Sequence, residues 1–307
     1  MKILVTGGAG FIGSHIVDAY IEQGHQLFVI DNLSTGSERN VNARAVFHPM
    51  DILDPRLPDL VKTIAPDIVC HHAAQMDVRH SVSDPLFDAR VNILGFIRLL
   101  EACKDLKIKK LIYASSGGAV YGDQDNFPTP EGALTRPQSP YGVSKLTGEF
   151  YLAYYREAFG IPYVALRYAN VYGPRQSAAG EAGVVAIFIR RLLEGSSPII
   201  NGDGKQTRDY VYVEDVVAAN VLALESSFSG ALNIGTGQET DVCALFRLLC
   251  EKTGSQAPAV HSPAKVGEQR RSCLNPSRAS ETLKWSPRFS LSEGLTRTVD
   301  YYRRSNS

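Results

Sequence analysis

Thr6-Gly7-Gly8-Ala9-Gly10-Phe11-Ile12-Gly13 decides how this chain folds. An apolar run at residues 3–5 precedes it, and an amphipathic run at 12–23, stopped by Gly24, follows it. Glycines at 7, 10 and 13 suit a tight strand-to-helix turn, close approach of backbone to a pyrophosphate, and close helix–sheet packing. The helix that begins there turns free N–H groups and a partial positive charge toward a bound phosphate. Asp31 closes the next strand-like run, 24 residues after Gly7. A carboxylate there accepts hydrogen bonds from the adenosine ribose hydroxyls and repels a 2′-phosphate, so the pattern predicts NAD rather than NADP. The competing account, a glycine-rich turn with no ligand, leaves the strand before, the helix after and the acid downstream unexplained. Asp51-Ile52, after the third strand, either meets the adenine edge or caps a helix, and the sequence leaves both open.

Working outward, short β-branched runs at 3–5, 27–30, 45–48, 68–71, 111–114 and 163–166 are bounded by Gly, Asp, Asn or Ser. Buried parallel strands read this way. Helical runs at 12–23, 85–104 and 140–159 lie between them. The alternation predicts an α/β fold with a Rossmann-type doubly wound parallel sheet. Past Asn170 the rhythm breaks into longer loops rich in Gly and Pro, with helical runs at 182–193, 213–225, 242–253 and 291–302. The expected division is a dinucleotide domain at 1–169, rejoined by about 208–234, and a smaller mixed α/β lobe at 170–307 interleaved with it.

Composition removes other classes. Of 307 residues, 44% are apolar and 21% charged, which excludes a disordered chain. Thirty-two basic residues balance thirty-two acidic ones, so nothing draws the whole molecule to nucleic acid or an anionic membrane. The longest apolar run, near residues 184–189, falls far short of the roughly 20 residues that span a bilayer. The start turns into glycine rather than a cleavage site, so no signal peptide is expected. Five cysteines at 70, 103, 243, 250 and 273 show no C-x-x-C spacing. They predict free thiols in a reducing, cytoplasmic compartment rather than disulfides or zinc. His71-His72 offers no third ligand at metal spacing, and no metal site is expected.

Tyr141-Gly142-Val143-Ser144-Lys145 places a phenol and an ammonium four residues apart on one helix face. With 14 Tyr and 11 Lys, chance supplies about half of one such pair, so the motif alone decides nothing. Its context does: it follows Leu111-Ile112-Tyr113-Ala114-Ser115-Ser116, a strand whose carboxyl end faces the ligand crevice of an open α/β sheet. A tyrosine acting as base near neutrality must lose roughly three pKa units from about 10, or about 4 kcal/mol of electrostatic help. A nearby lysine and an oxidised nicotinamide ring are the candidate sources.

The glycine stretch, Asp31, Ser115-Ser116, Tyr141 with Lys145, and Arg167-Tyr168-Ala169-Asn170-Val171-Tyr172-Gly173-Pro174-Arg175 together resemble the extended short-chain dehydrogenase/reductases. Within them the chain is most similar to the UDP-glucose 4-epimerase family. The resemblance runs on through Asn201–Asp209 with its Arg208, Leu232-Asn233-Ile234-Gly235-Thr236-Gly237, and Gly267-Glu268. It implies a UDP-sugar substrate, bound NAD, hydride removal at C4, a 4-keto intermediate and hydride return to the opposite face. Tyr141, Lys145 and Ser116 would be catalytic. Gly7, Gly10, Phe11, Ile12, Gly13, Asp31, Asn32, Ser34, Thr35, Gly36, Asp51, Ile52, His72, Ala73, Ala74, Asn92, Ser115 and Tyr168, with Tyr141 and Lys145, would hold the cofactor. Ser116, Asn170, Val184, Asn201, Arg208, Lys265, Glu268, Arg271 and Ser272 would hold the substrate.

The chain departs from that pattern in two places. A Ser or Thr often stands three residues before Val120-Tyr121-Gly122, and here it is Gly117. Ser116 is the expected replacement, with Ser115 or water behind it. Lys265 stands where arginine is frequent, three residues before Glu268, and lacks bidentate geometry. Related 4,6-dehydratases carry an Asp-Glu pair just before the Tyr-Gly, and decarboxylating relatives a Glu. Gly117-Gly118-Ala119-Val120-Tyr121 has no carboxylate, which favours plain epimerisation. Ser272 leaves room for an N-acetyl group, and Arg175 or Arg271 for a C6 carboxylate, so UDP-N-acetylglucosamine and UDP-glucuronate stay open. A non-catalytic NAD-sensing member would be expected to have lost the tyrosine or lysine, and both are present. The stripe Phe150, Tyr151, Tyr154 and Tyr155 is expected to pack inward. In this family its helix and the one at 85–104 often build a two-fold dimer, so a homodimer is expected.

Overall fold

The six β-branched runs become parallel strands: Lys2–Thr6 (β1), Gln26–Asp31 (β2), Val46–Pro49 (β3), Ile68–His71 (β4), Lys110–Ser116 (β5) and Tyr163–Tyr168 (β6). The computed structural model describes residues 1–177, 183–264 and 269–305. Beyond β6 the strands are shorter: Asn170–Tyr172 (β7), Ile199–Asn201 (β8), Thr207–Arg208 (β9), Tyr210–Tyr212 (β10), Gly230–Ile234 (β11), Thr240–Asp241 (β12), Val260–Ser262 (β13) and Arg271–Ser272 (β14). Seven strands form the main sheet in the order β11-β6-β5-β4-β1-β2-β3, every pairing parallel.

Because successive side chains alternate across a strand, Ile3 and Val5 of β1 face one core while Leu4 faces the other. The first core packs Ile16, Val17 and Tyr20 of the Phe11–Glu22 helix with Ala219 and Ala223 of the Val213–Glu225 helix. The second packs Val61, Phe96, Leu99, Leu152 and Tyr155 from the helices on the opposite face. With both faces covered, the strands are apolar throughout rather than alternating. A third core, including Tyr172, Phe188, Tyr212 and Leu245, belongs to the smaller strands and their helices. No helix among the described residues is long and apolar enough to cross a membrane.

Four expectations change on contact with the structure. Of the stretch expected to rejoin the sheet, only Gly230–Ile234 does, as β11 beside β6. β9 pairs with β12 and β14, and β10 with β7, because Asp209 between them is buried and held by other loops. The run at 85–104 is helical but widens over Arg90–Gly95 to i→i+5 bonding, where Asn92 is buried and a Cβ on Gly95 would lie 2.7 Å from Ile52. The aromatic stripe splits: Tyr155 is buried, whereas Phe150 and Tyr154 stay 66% and 56% exposed. The run expected at 182–193 begins at Val184, and residue 182 lies outside the described residues.

Candidate active site

The glycine turn is shaped by close backbone approach. Gly7 has φ +73, and a Cβ there would stand 2.5 Å from the Ala73 nitrogen. A Cβ on Gly13 would stand 2.2 Å from the Gly7 carbonyl oxygen, so the first helical turn can lie against the loop only without a side chain. Gly10 caps the helix with no side-chain bond of its own, which leaves the first-turn N–H groups directed to the cleft. Asp31 pins this loop: its Oδ2 accepts from the Ala9 N–H at 2.9 Å and its Oδ1 from Leu33 N–H at 2.8 Å. A carboxylate oxygen keeps a second lone pair, so Asp31 can still accept from a ribose. Asp51 caps no helix, since the next one starts at Leu57 with Arg56 before it, and instead closes a local turn beside the cleft. It accepts from Leu53 N–H at 2.8 Å and from Asn32 Nδ2 at 2.7 Å, and lines the cleft.

Along this carboxyl edge of the sheet runs a cavity of about 230 Å3. Of the residues expected at the cofactor, only Gly36 and Asn92 do not line it. Gly36 backs onto Ala9, where a Cβ would lie 3.0 Å from the carbonyl, and Asn92 stands behind the wall. The sequence reading missed Ile30, Met50, Met76, Val91 and Ala114 in the lining. Their apolar types carry no chemical signal; Ile30, Met50, Ala114 and Val91 adjoin Asp31, Asp51, Ser115 and Asn92, and Met76 adjoins no expected residue. His72 Nδ1 is buried in this wall with no hydrogen-bond partner, while its Nε2 meets the Tyr168 hydroxyl at 3.1 Å. Burial holds its pKa down to about 3, so the ring is neutral. Shape, N–H groups and this orphaned nitrogen fit a dinucleotide.

The reacting end is built on the Pro140–Phe159 helix. Ser139 accepts from Gly142 N–H at 3.1 Å, Pro140 supplies the first-turn φ, and Gly160 ends the helix at φ +71. Tyr141 and Lys145 both line the cleft, with Lys145 Nζ 5.7 Å from the Tyr141 ring centre. Nζ donates to the Ala114 carbonyl at 2.9 Å. Burial lowers the Lys145 pKa to about 8. Tyr141 moves opposite to what its role requires: burial pushes it up to about 12, and the Ser116 hydroxyl, bonded to the phenol, pulls it partly back. The protein alone leaves the phenol roughly 7 kcal/mol from neutrality rather than 4.

Ser115 does not share the role of Ser116. Its hydroxyl donates to Glu149 Oε1 at 2.5 Å. Glu149 also accepts from Arg167 at 2.9 and 2.6 Å, and Arg167 reaches the Tyr121 hydroxyl at 2.7 Å. This buried ion pair stands one helical turn past Lys145 and locks the helix to β5 and β6. Gly117 is explained by its neighbour: a Cβ there would lie 2.4 Å from Leu274 Cδ1. An apolar side chain fills the place of the missing hydroxyl.

The expected substrate residues gather on the short strands. Asn170 opens β7 with Oδ1 3.9 Å from where a Gly118 Cβ would stand. Ser272 of β14 is paired in register with Arg208 of β9. Asn201 accepts from Ser262 at 3.0 Å, and Val184 starts its helix. Lys265 and Glu268 lie outside the described residues. Of the two arginines expected for a C6 carboxylate, Arg271 is engaged elsewhere, and Arg175 is held through Nη2 while its buried Nη1 has no hydrogen-bond partner among the described residues. Arg175 bonds Asp18 at 2.7 Å, and Arg271 grips Glu239 at 3.0 and 2.6 Å while stacked on Phe127. Among the described residues, no group of three His, Cys, Asp or Glu is placed to share a metal ion.

The model of the NAD dependent epimerase/dehydratase family matches residues 3–235. The chain belongs to that family. Among its relatives, the UDP-glucose 4-epimerase of Mycolicibacterium smegmatis is 42% identical over 99% of each chain. A UDP-glucose 4-epimerase of Thermotoga maritima, solved with UDP-glucose, superposes with a TM-score of 0.99 at 48% identity and full coverage of both chains. That of Thermus thermophilus, solved with NAD, gives 0.95 at 42% identity over 99% of each chain. The family thus accounts for the glycine turn, the acid after β2 and the Tyr141–Lys145 helix at once.

Proposed function

We propose that the protein is an NAD-dependent UDP-hexose 4-epimerase interconverting UDP-glucose and UDP-galactose. The observation that carries this reading is that Tyr141, with Ser116 bonded to its phenol, and Lys145 line the same cleft as the glycine turn. NAD+ held by the glycine turn, Asp31 and Lys145 would supply a hydride acceptor and donor for the sugar C4 and a positive ring beside the phenol. Tyr141 takes the 4-hydroxyl proton as base and gives it back after the sugar turns over. Lys145 holds positive charge beside the phenolate and orients the nicotinamide ribose. Ser116 holds the 4-oxygen in line with the phenol. Asn170 and Arg208 hold the substrate pyrophosphate, Glu268 the uridine ribose, and Val184 and Asn201 line the nucleotide pocket. The small buried Ser272 beside Arg208 favours UDP-N-acetylglucosamine as a second substrate.

This reading gives a cofactor domain at 1–169, joined by β11 and the 213–225 helix, and a nucleotide-sugar lobe within 170–307 interleaved with it. The pairing of β11 with β6 and the packing of Ala219 and Ala223 on the first core support it. Exposed Leu86, Leu94, Phe150 and Tyr154 on the helices of the second face support a two-fold homodimer. Five free cysteines support a cytoplasmic setting.

The deciding experiment offers UDP-glucose, UDP-N-acetylglucosamine and UDP-glucuronate, separates the products by chromatography and follows nicotinamide absorbance. Conversion of UDP-glucose to UDP-galactose without loss of water or carbon dioxide is expected. Loss of either, or no sugar-dependent change at all, removes the reading.

A further inference from the structure

Asp88 is fully buried, and nothing in the reaction above uses it. Its Oδ1 accepts from Gln75 Nε2 at 3.0 Å and Asn92 Nδ2 at 2.9 Å, and its Oδ2 from Ser144 Oγ at 2.6 Å. All three donors are neutral. Each leads somewhere that matters. Ser144 precedes Lys145 on the catalytic helix. Asn92 clasps the Gln75 backbone at both ends, accepting from its N–H at 2.9 Å and donating to its carbonyl at 2.8 Å. Gln75 directly follows Ala73-Ala74 of the cleft wall. Asn92 makes this clasp from within the i→i+5 widening at Arg90–Gly95.

The charges around Lys145 single Asp88 out. From β4, His71 and His72 are held neutral by burial. From β5, Tyr113 lies under the ammonium at 5.1 Å and burial keeps it protonated. On the same helix, Glu149 is taken up by Arg167, and Tyr141 is the group to be ionised. Asp88, on the helical segment packed against this one, is the remaining carboxylate. It favours the charged form of Lys145 and disfavours that of Tyr141.

We propose that Asp88 is a positioning residue of the catalytic pair: it ties the Lys145 turn to the cofactor-facing loop and supplies the fixed negative charge that keeps the ammonium charged. This rests on the Tyr141–Lys145 reading. The two halves of the proposal separate by mutation. Asp88→Asn keeps the three partners, since an amide oxygen can accept from Gln75 and Asn92 and its NH2 can donate to the Ser144 oxygen in a reversed bond. Only the charge is lost. Removing a negative charge lowers the pKa of both a nearby ammonium and a nearby phenol. Both limbs of the pH–kcat profile therefore slide toward acid, by about one pH unit. Ser144→Ala keeps the charge and loses the tie, so kcat falls roughly fivefold with both limbs in place, in the range of a lost hydrogen bond.

Competitive acylation of Lys145, read by mass spectrometry on protein without sugar, gives an independent measure. Its midpoint is expected to fall in Asp88→Asn and to hold in Ser144→Ala. An Asp88→Asn profile and labelling midpoint that coincide with wild type overturn the proposal. If Asp88→Asn does not fold, Ser144→Ala decides, and an unchanged kcat overturns it. Wild-type protein that epimerises no sugar removes the functional reading instead, and the labelling midpoint still judges Asp88.

Discussion

The glycine turn and the short-strand region around Asp209 are held by different means. Around the glycine turn, geometry is set by backbone meeting backbone: the Gly13 position against the Gly7 carbonyl, Gly7 against Ala73. Around the short strands it is set by single buried side chains. Asp209 alone accepts from Thr236 N–H at 2.8 Å, Thr236 Oγ1 at 2.6 Å, Gly237 N–H at 3.1 Å and Leu274 N–H at 3.2 Å. Burial raises its pKa and those four bonds oppose the rise. A backbone cradle admits one ligand shape, whereas a lobe pinned by side chains can be retuned one residue at a time. Under the proposed function, the first holds the cofactor and the second sets substrate choice.

Three substitutions put that contrast at risk. Tyr141→Phe, at the seam, is expected to lower kcat at least ~100-fold while NAD affinity holds, as loss of a general base predicts. Steady-state rates beside a fluorescence titration with NAD check it, and near-wild-type turnover would end the base assignment. Gly13→Ala is expected to weaken NAD binding roughly thirtyfold, from about 2 kcal/mol of overpacking against a carbonyl that cannot retreat. Unaltered NAD affinity would mean the turn is softer than its contacts imply. Asp209→Asn sets an amide NH2 toward donors and is expected to cost about 1.4 kcal/mol. The loss should fall on the sugar side, as a KM roughly tenfold higher with NAD affinity unchanged. Equal losses at both sites would erase the distinction between the two regions.

How much of this was legible in the sequence follows the same division. The Pro140–Phe159 helix matches its predicted bounds because each signal is local: Ser139 as cap, Pro140 in the first turn, Gly160 past the end. The Val242–Thr253 helix, capped by Asp241 and closed by Gly254, matches for the same reason. The cofactor wall was read nearly whole from short motifs. What escaped depends on residues far apart in the chain. Leu274 standing at Gly117, Asp209 holding Thr236, and Asp88 holding Ser144 have no periodicity to announce them. Glu149 was within reach, four residues after Lys145 on the same face. The sign of the Tyr141 shift was not, because burial is a property of the assembled cleft. The outward turn of Phe150 and Tyr154 escaped for a related reason, since an aromatic stripe reads alike whether it meets a core or a second chain.

β11 carries a consequence for biosynthesis. The strand that flanks β6 comes from residues 230–234, more than sixty positions later in the chain. As the polypeptide leaves the ribosome, β6 waits with its outer N–H and carbonyl groups unmatched until that late segment emerges. A fragment cut near residue 169 keeps the glycine turn but presents a bare apolar margin to its neighbours, a template for self-association. The portion that carries the glycine turn is thus not severable at residue 169, and its outer edge is completed by sequence translated well after Tyr141.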